Sequence, residues 1–132
     1  MALYLMTTEA TNAITALDKK QLNMVIMSVN EKSAGIELLK TEKKASLDEL
    51  LAELPENECR FIIYSWEHMR KDVKTVKDFF FRWTPNGAPE QQKLRYKEAE
   101  SSLQYKLSSK FNRVARSKAD FSDEELRKIG AW

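Results

Sequence analysis

His68 is the only histidine of the 132-residue chain and Cys59 the only cysteine. A histidine-assisted thiol nucleophile would have to be this pair. Cys59 opens the run CRFIIYSW (59–66), whose branched and aromatic residues predict a strand, and His68 follows nine residues later in a polar stretch. An extended chain covers about 3.3 Å per residue, which keeps the two side chains far apart. Cys59 reads instead as a small buried apolar residue. A single cysteine also excludes an intrachain disulfide and a cysteine metal cage. Neither G-x-G-x-x-G nor G-x-x-x-x-G-K occurs, so no glycine loop is present to cradle a phosphate. Asp123-Glu124-Glu125 stands where a helix N-terminus favours negative charge. The other carboxylates are too scattered for paired acid–base work. No enzyme and no cofactor are expected; a binding module is.

Charge is distributed unevenly. Residues 70–118 hold 13 Lys/Arg against 5 Asp/Glu, while 1–69 hold 7 against 11 and 119–132 hold 2 against 4. A basic centre between acidic ends gives a polarised surface, suited to an anionic protein, lipid headgroups or nucleic acid. The plainer alternative is a solvated face of mixed sign. Aromatic residues look committed to the core, not interleaved with surface cations, which makes nucleic acid a poor fit. The start, MALYLMTTEA, lacks the basic and long apolar regions of a secretory signal, and no run approaches membrane-spanning length. A cytoplasmic protein is expected.

Elements that could position these residues follow from periodicity. With 42% hydrophobic residues and only 3 Gly and 3 Pro, the chain reads as a single domain over 1–132. Thr8–Lys20 predicts a helix capped by Thr7 or Thr8, with Ala10, Ala13, Ile14 and Leu17 on one face. LNMVIMSV (22–29) predicts a strand buried on both faces and AGIELLK (34–40) its hairpin partner. SLDELLAEL (46–54) predicts a Ser-capped helix stopped by Pro55. A third strand spans 59–66 and a fourth, TVKDFFFRW, spans 75–83, joined by EHMRKDVK as a polar, exposed loop. In the fourth strand Phe79, Phe81 and Trp83 share one side and Phe80 the other, as expected of a strand covered on both faces. FNRVARS (111–117) supplies a last strand and SDEELRKIG (122–130) a last helix. The fold class is α/β (α+β): a central mixed sheet of about five strands with helices on both faces. No separate apolar stripe is left for self-association, so a monomer is expected.

One helix carries a residue out of phase. After the turn PNGAP, with Gly87 for flexibility, the spacing predicts a helix from Pro89 to about Ser108. Tyr96, Ala99, Leu103 and Leu107 form its buried stripe. Leu94 falls off that stripe, between Lys93 and Arg95. A lone exposed leucine needs no explanation on its own. Ringed by cations, it also has the form of an apolar anchor with a polar rim.

The stretch LPENECRFIIYSWEH followed by FFFRWTPNGAPEQQKLRY resembles the actin-depolymerising factor/cofilin family. The residues carrying the resemblance are Leu54–Cys59, Trp83, Pro85, Ala88, Pro89 and Lys93-Leu94-Arg95-Tyr96, in the family's order. The resemblance implies an ADF-homology domain that binds actin monomers and filaments and severs or depolymerises filaments without chemistry of its own. It implies a monomer-type surface of Lys93, Leu94, Arg95 and Lys97 with Leu5 and Met6 of the N-terminal segment. It also implies a filament-type surface of Arg70, Lys71 and Lys74 with Glu124, Glu125, Arg127 and Lys128. For the first three, a solubilising loop is the alternative; for the last four, pairing within the helix is. Anionic inositol lipids are an implied regulator.

Departures from the family pattern are specific. Gln91 stands where a basic residue is usual, next to Glu90. Lys97-Glu98 and Glu100 replace small, serine-rich residues. Ala2 stands about where the family's regulatory serine would align. Weakened monomer binding is the expected result. ELPENECRFIIYS, PEQQ and FSDEELRKIG also resemble the glia maturation factor branch. That resemblance implies the alternative of a binder of the branch-nucleating actin-related protein complex that removes branches.

Overall fold

A computed structural model describes residues 4–30, 32–106 and 110–130, without the side chains of 68–70, 104–106, 123, 129 and 130. The strands are β1 (Leu5–Met6), β2 (Met24–Asn30), β3 (Gly35–Glu42), β4 (Arg60–Arg70), β5 (Val73–Trp83) and β6 (Phe111–Ala115). The helices are α1 (Thr8–Asp18), α2 (Leu47–Ala52), α3 (Glu90–Glu100) and α4 (Asp123–Gly130). The strands form one mixed sheet in the order β1-β3-β2-β4-β5-β6. β1 on β3 and β5 on β6 are parallel, and the other pairs antiparallel. The expected sheet of about five strands gains its sixth from β1, a two-residue segment read beforehand only as a docking surface.

Alternation along the central strands sorts the core into two layers. On one face Val25, Met27, Phe61, Ile63 and Phe80 meet Ile14 and Leu17 of α1 and Tyr96 and Ala99 of α3. On the other, Met24, Ile26, Ile62, Phe79, Phe81 and Trp83 meet Leu50 of α2, Leu126 of α4 and Phe121. The split of the aromatic run between the two faces is as the strand period requires. The caps are side-chain made: Thr7 accepts from the Ala10 N–H, and Ser46 and Glu49 form a reciprocal capping box on α2.

Three expectations are corrected. EHMRKDVK (67–74) is not a loop: β4 and β5 stay paired to Arg70 and Val73, and only Lys71 and Asp72 turn. Both have positive φ, 50° and 66°, the conformation of a two-residue turn matched to strand twist. Backbone pairing carries polar residues outward here without needing an apolar face. The helix after Pro89 ends at Glu100 and continues to Lys106 as a 3₁₀ turn. The Ser101 hydroxyl donates to the Glu98 carbonyl at 2.7 Å, diverting an acceptor at the helix end. Leu107 of the expected stripe lies outside the described residues. Gly87 is required by contact and not by backbone freedom, since no glycine has positive φ. A Cβ there would meet Asn57 Oδ1 at 2.4 Å and the Glu56 carbonyl oxygen at 2.7 Å.

β3 contains an irregularity. Ile26 pairs with Lys40 and Met27 with Leu38, which leaves Leu39 as an extra residue in the ladder. β1 covers only Gly35 and Ile36 of this strand. No helix among the described residues is long and apolar enough to cross a membrane.

Candidate functional site

α3 is held from below and at both ends. Its N-terminus follows β5 after the short turn 84–89, and the Trp83 indole N–H donates to the Pro55 carbonyl at 2.7 Å to fix that corner. Midway, the Tyr96 hydroxyl accepts from the buried Val29 N–H at 2.9 Å. Gln92 accepts from the Cys59 N–H. At the last turn, Glu100 lies 3.2 Å from Arg82 of β5, both side chains mostly covered. Burial raises the Glu100 carboxyl above the usual range, against the lowering effect of Arg82. Arg82 Nε is buried without a hydrogen-bond partner among the described residues. These ties set the rotation of the helix about its axis, and so decide what its outer face presents.

That face presents Leu94, which is 56% exposed. Lys93 and Lys97 accompany it along a groove of about 300 Å³ between α3 and the β5–β6 edge. The opposite wall carries Val114 and Arg116, with Arg82 at the base. Lys93 Nζ lies 3.1 Å from Glu90, so the charge at the helix entrance is partly neutralised.

The residues expected to act together are distributed over two places. Lys93, Leu94 and Lys97 share the groove; the half-buried Arg95 is not part of its lining. Leu5, exposed, and Met6, half-buried against the α1 side of the core, sit on β1, at the opposite edge of the sheet from β6 with four strands between. Val114 and Arg116 were missed by sequence reasoning. The only available signal was a valine among polar residues in a short strand, which does not reveal the neighbouring element.

The filament-type residues occupy the β4–β5 arm and α4. Lys71 is exposed in the turn, and Lys74 lies 3.3 Å from Glu67 across the arm. The Arg70 side chain lies outside the described residues. On α4, Glu124, Arg127 and Lys128 are exposed and Glu125 is half-buried, while Leu126 anchors the helix to the core. Lys128 approaches Glu124 at 3.8 Å, the i,i+4 pairing expected from their spacing, and Glu125 more closely at 3.3 Å. A second cleft, about 380 Å³, lies at the base of the arm and brings Lys43 and Lys44 beside Lys74 and Glu67.

Cys59 is fully buried, and burial pushes its thiol up to about 11, against the lowering effects of Lys93, Arg60 and Arg82. Among the described residues no three His, Cys, Asp or Glu side chains gather as metal ligands.

Comparison with known proteins gives a consistent result. Residues 5–129 match the family described as cofilin/tropomyosin-type actin-binding protein. The chain is 35% identical over 89 residues to the cofilin of Mycosarcoma maydis, covering 67% of this chain and 64% of that protein. It is 31% identical over 91 residues to actin-depolymerizing factor 2 of Oryza sativa subsp. japonica, covering 67% and 63%. The matched stretches therefore span slightly under two thirds of these relatives' own lengths. In structure, the chain superposes on Streptomyces griseoflavus cofilin with a TM-score of 0.85 at 24% identity, covering 96% of this chain and 98% of the other. It superposes on glia maturation factor from Caenorhabditis elegans with a TM-score of 0.79 at 17% identity, covering 97% and 96%.

Proposed function

The chain belongs to the cofilin/tropomyosin-type actin-binding family, and from that premise we propose that it binds actin monomers and filaments and promotes filament severing and depolymerisation. The observation that carries this reading is Leu94, an exposed leucine on a rigidly held helix between Lys93 and Lys97. An apolar anchor supplies affinity once water is excluded, and the surrounding cations speed encounter with an acidic partner. Severing needs no bond chemistry. It needs the protein to favour one filament twist over another by differential binding. Lys71, Lys74 and the charged face of α4 are the proposed contacts to a neighbouring subunit.

The test is high-speed co-sedimentation with ADP-actin filaments, scoring this protein in the pellet and actin in the supernatant. Wild-type protein should pellet or raise soluble actin. Leu94→Asp combined with Lys93→Glu should weaken binding by a factor of about one hundred, the loss of an anchor and a rim charge together. Unchanged binding by that variant would remove Lys93 and Leu94 from the site.

A second reading is favoured by the Glu90–Lys93 contact, which lowers the positive charge at the helix entrance. It is a binder of the branch-nucleating actin-related protein complex that detaches branches and ignores plain filaments. Capture of that complex without filament pelleting at low salt would select it. The same cations would meet inositol-lipid headgroups if lipid regulates binding, which flotation with anionic vesicles would detect.

A further inference from the structure

We propose that the partner sits in the groove between α3 and β6, not on the face of α3 alone, and that the segment it contributes carries one apolar side chain flanked by carboxylates. This rests on the actin-binding reading and specifies its chemistry. Five large apolar side chains are conspicuously exposed among the described residues, and two of them, Leu94 and Val114, line this one groove from elements twenty residues apart in sequence. Their convergence is set by the fold. The parallel β5–β6 register places Val114 beside Arg82, and Arg82 is held by Glu100 at the end of α3. Helix and strand are thereby fixed relative to each other, so little ordering remains to be done on binding.

The charges select the occupant. Lys93 is shared with Glu90 and Arg82 with Glu100. Lys97 on the helix wall and Arg116 on the strand wall form no ion pair with a described residue. Two available cations thus border the apolar pair. A neutral or basic segment would desolvate them without compensation, whereas carboxylates on either side of an apolar residue would match both. A small phosphate would use the cations and gain nothing from Leu94 and Val114.

The test measures affinity of the full chain for ADP-actin monomers, with circular dichroism melts to confirm folding. Leu94→Ala, Val114→Ala and the double variant are compared, with Val114→Thr as a shape-conserving control for packing. Each Ala variant should weaken binding roughly three- to tenfold, and the double should depart from the product of the singles because both touch one side chain. Arg116→Gln should flatten the salt dependence of binding. If Val114→Ala and Arg116→Gln bind as wild type while Leu94→Ala is impaired, the groove is overturned and the actin-binding reading survives. If Arg116→Gln is impaired and Val114→Ala silent, the site takes a bare anion and the proposal falls. If wild-type protein binds no actin, both fall together.

Discussion

Leu94 and Cys59 show how differently two single residues disclose themselves. Leu94 was legible because helical phase is a property of sequence: a residue three or four places from its apolar neighbours shares their face, and this one does not. Val114 and Arg116 were not legible, because which strand lies beside a helix is decided by long-range pairing. Cys59 was read as buried, and its surroundings give that burial a pH signature. Its folded thiol titrates near 11 against an ordinary 9.0, so the folded state holds the proton more tightly. Stability from this group is fully present below pH 9 and declines between about pH 9 and 11, with a limiting slope of about 1.4 kcal/mol per pH unit. Urea midpoints across that range should show the slope, and Cys59→Ala should lose it whatever its absolute stability. A disulfide reagent at pH 8 should leave the native thiol unmodified and react once urea unfolds the chain. Tyr96 makes the matching case for a polar group. Tyr96→Phe would strand the buried Val29 N–H and should cost about 1–3 kcal/mol in chemical denaturation.

Elements were predicted best where side-chain period and burial agree. β2 and β5 carry short apolar runs bounded by polar residues, α1 repeats at helical spacing, and each lies close to its expected span. The β4–β5 arm was missed because its outer stretch, EHMRKDVK, is mostly polar without alternation and its turn, Lys71-Asp72, lacks the asparagine-glycine signature. Ordinary side chains at positive φ cost energy that glycine avoids. Replacing Lys71-Asp72 by Asn-Gly should therefore raise stability by roughly 0.5–1 kcal/mol. The same exchange removes Lys71 from the proposed filament contact. Higher melting temperature with weaker filament pelleting is the expected combined result. Stability without loss of pelleting would assign Lys71 to the turn alone.

At the scale of the whole molecule, the excess of basic over acidic residues is concentrated in one stretch of the chain. Residues 70–118, with 13 Lys/Arg against 5 Asp/Glu, build α3 and the strands β5 and β6 that end the strand order. Association with an acidic partner should slow several-fold as salt rises from about 50 to 200 mM, with a smaller change in dissociation. Stopped-flow mixing with labelled actin monomers would separate the two rates. The class of fold and its two-layer core were visible in the alternation of aromatic residues. Strand order and the sixth strand were not, since pairing between distant segments leaves no local mark. The bulge at Leu39 has a consequence for the molecule in crowded solution. Beyond the short cover of β1, β3 offers backbone groups with no strand beside them among the described residues, next to a leucine that is 51% exposed. A straight edge of that kind invites a second copy to add its own strand, and a third after it. The extra residue bends the ladder there, which works against a second copy's strand adding in register.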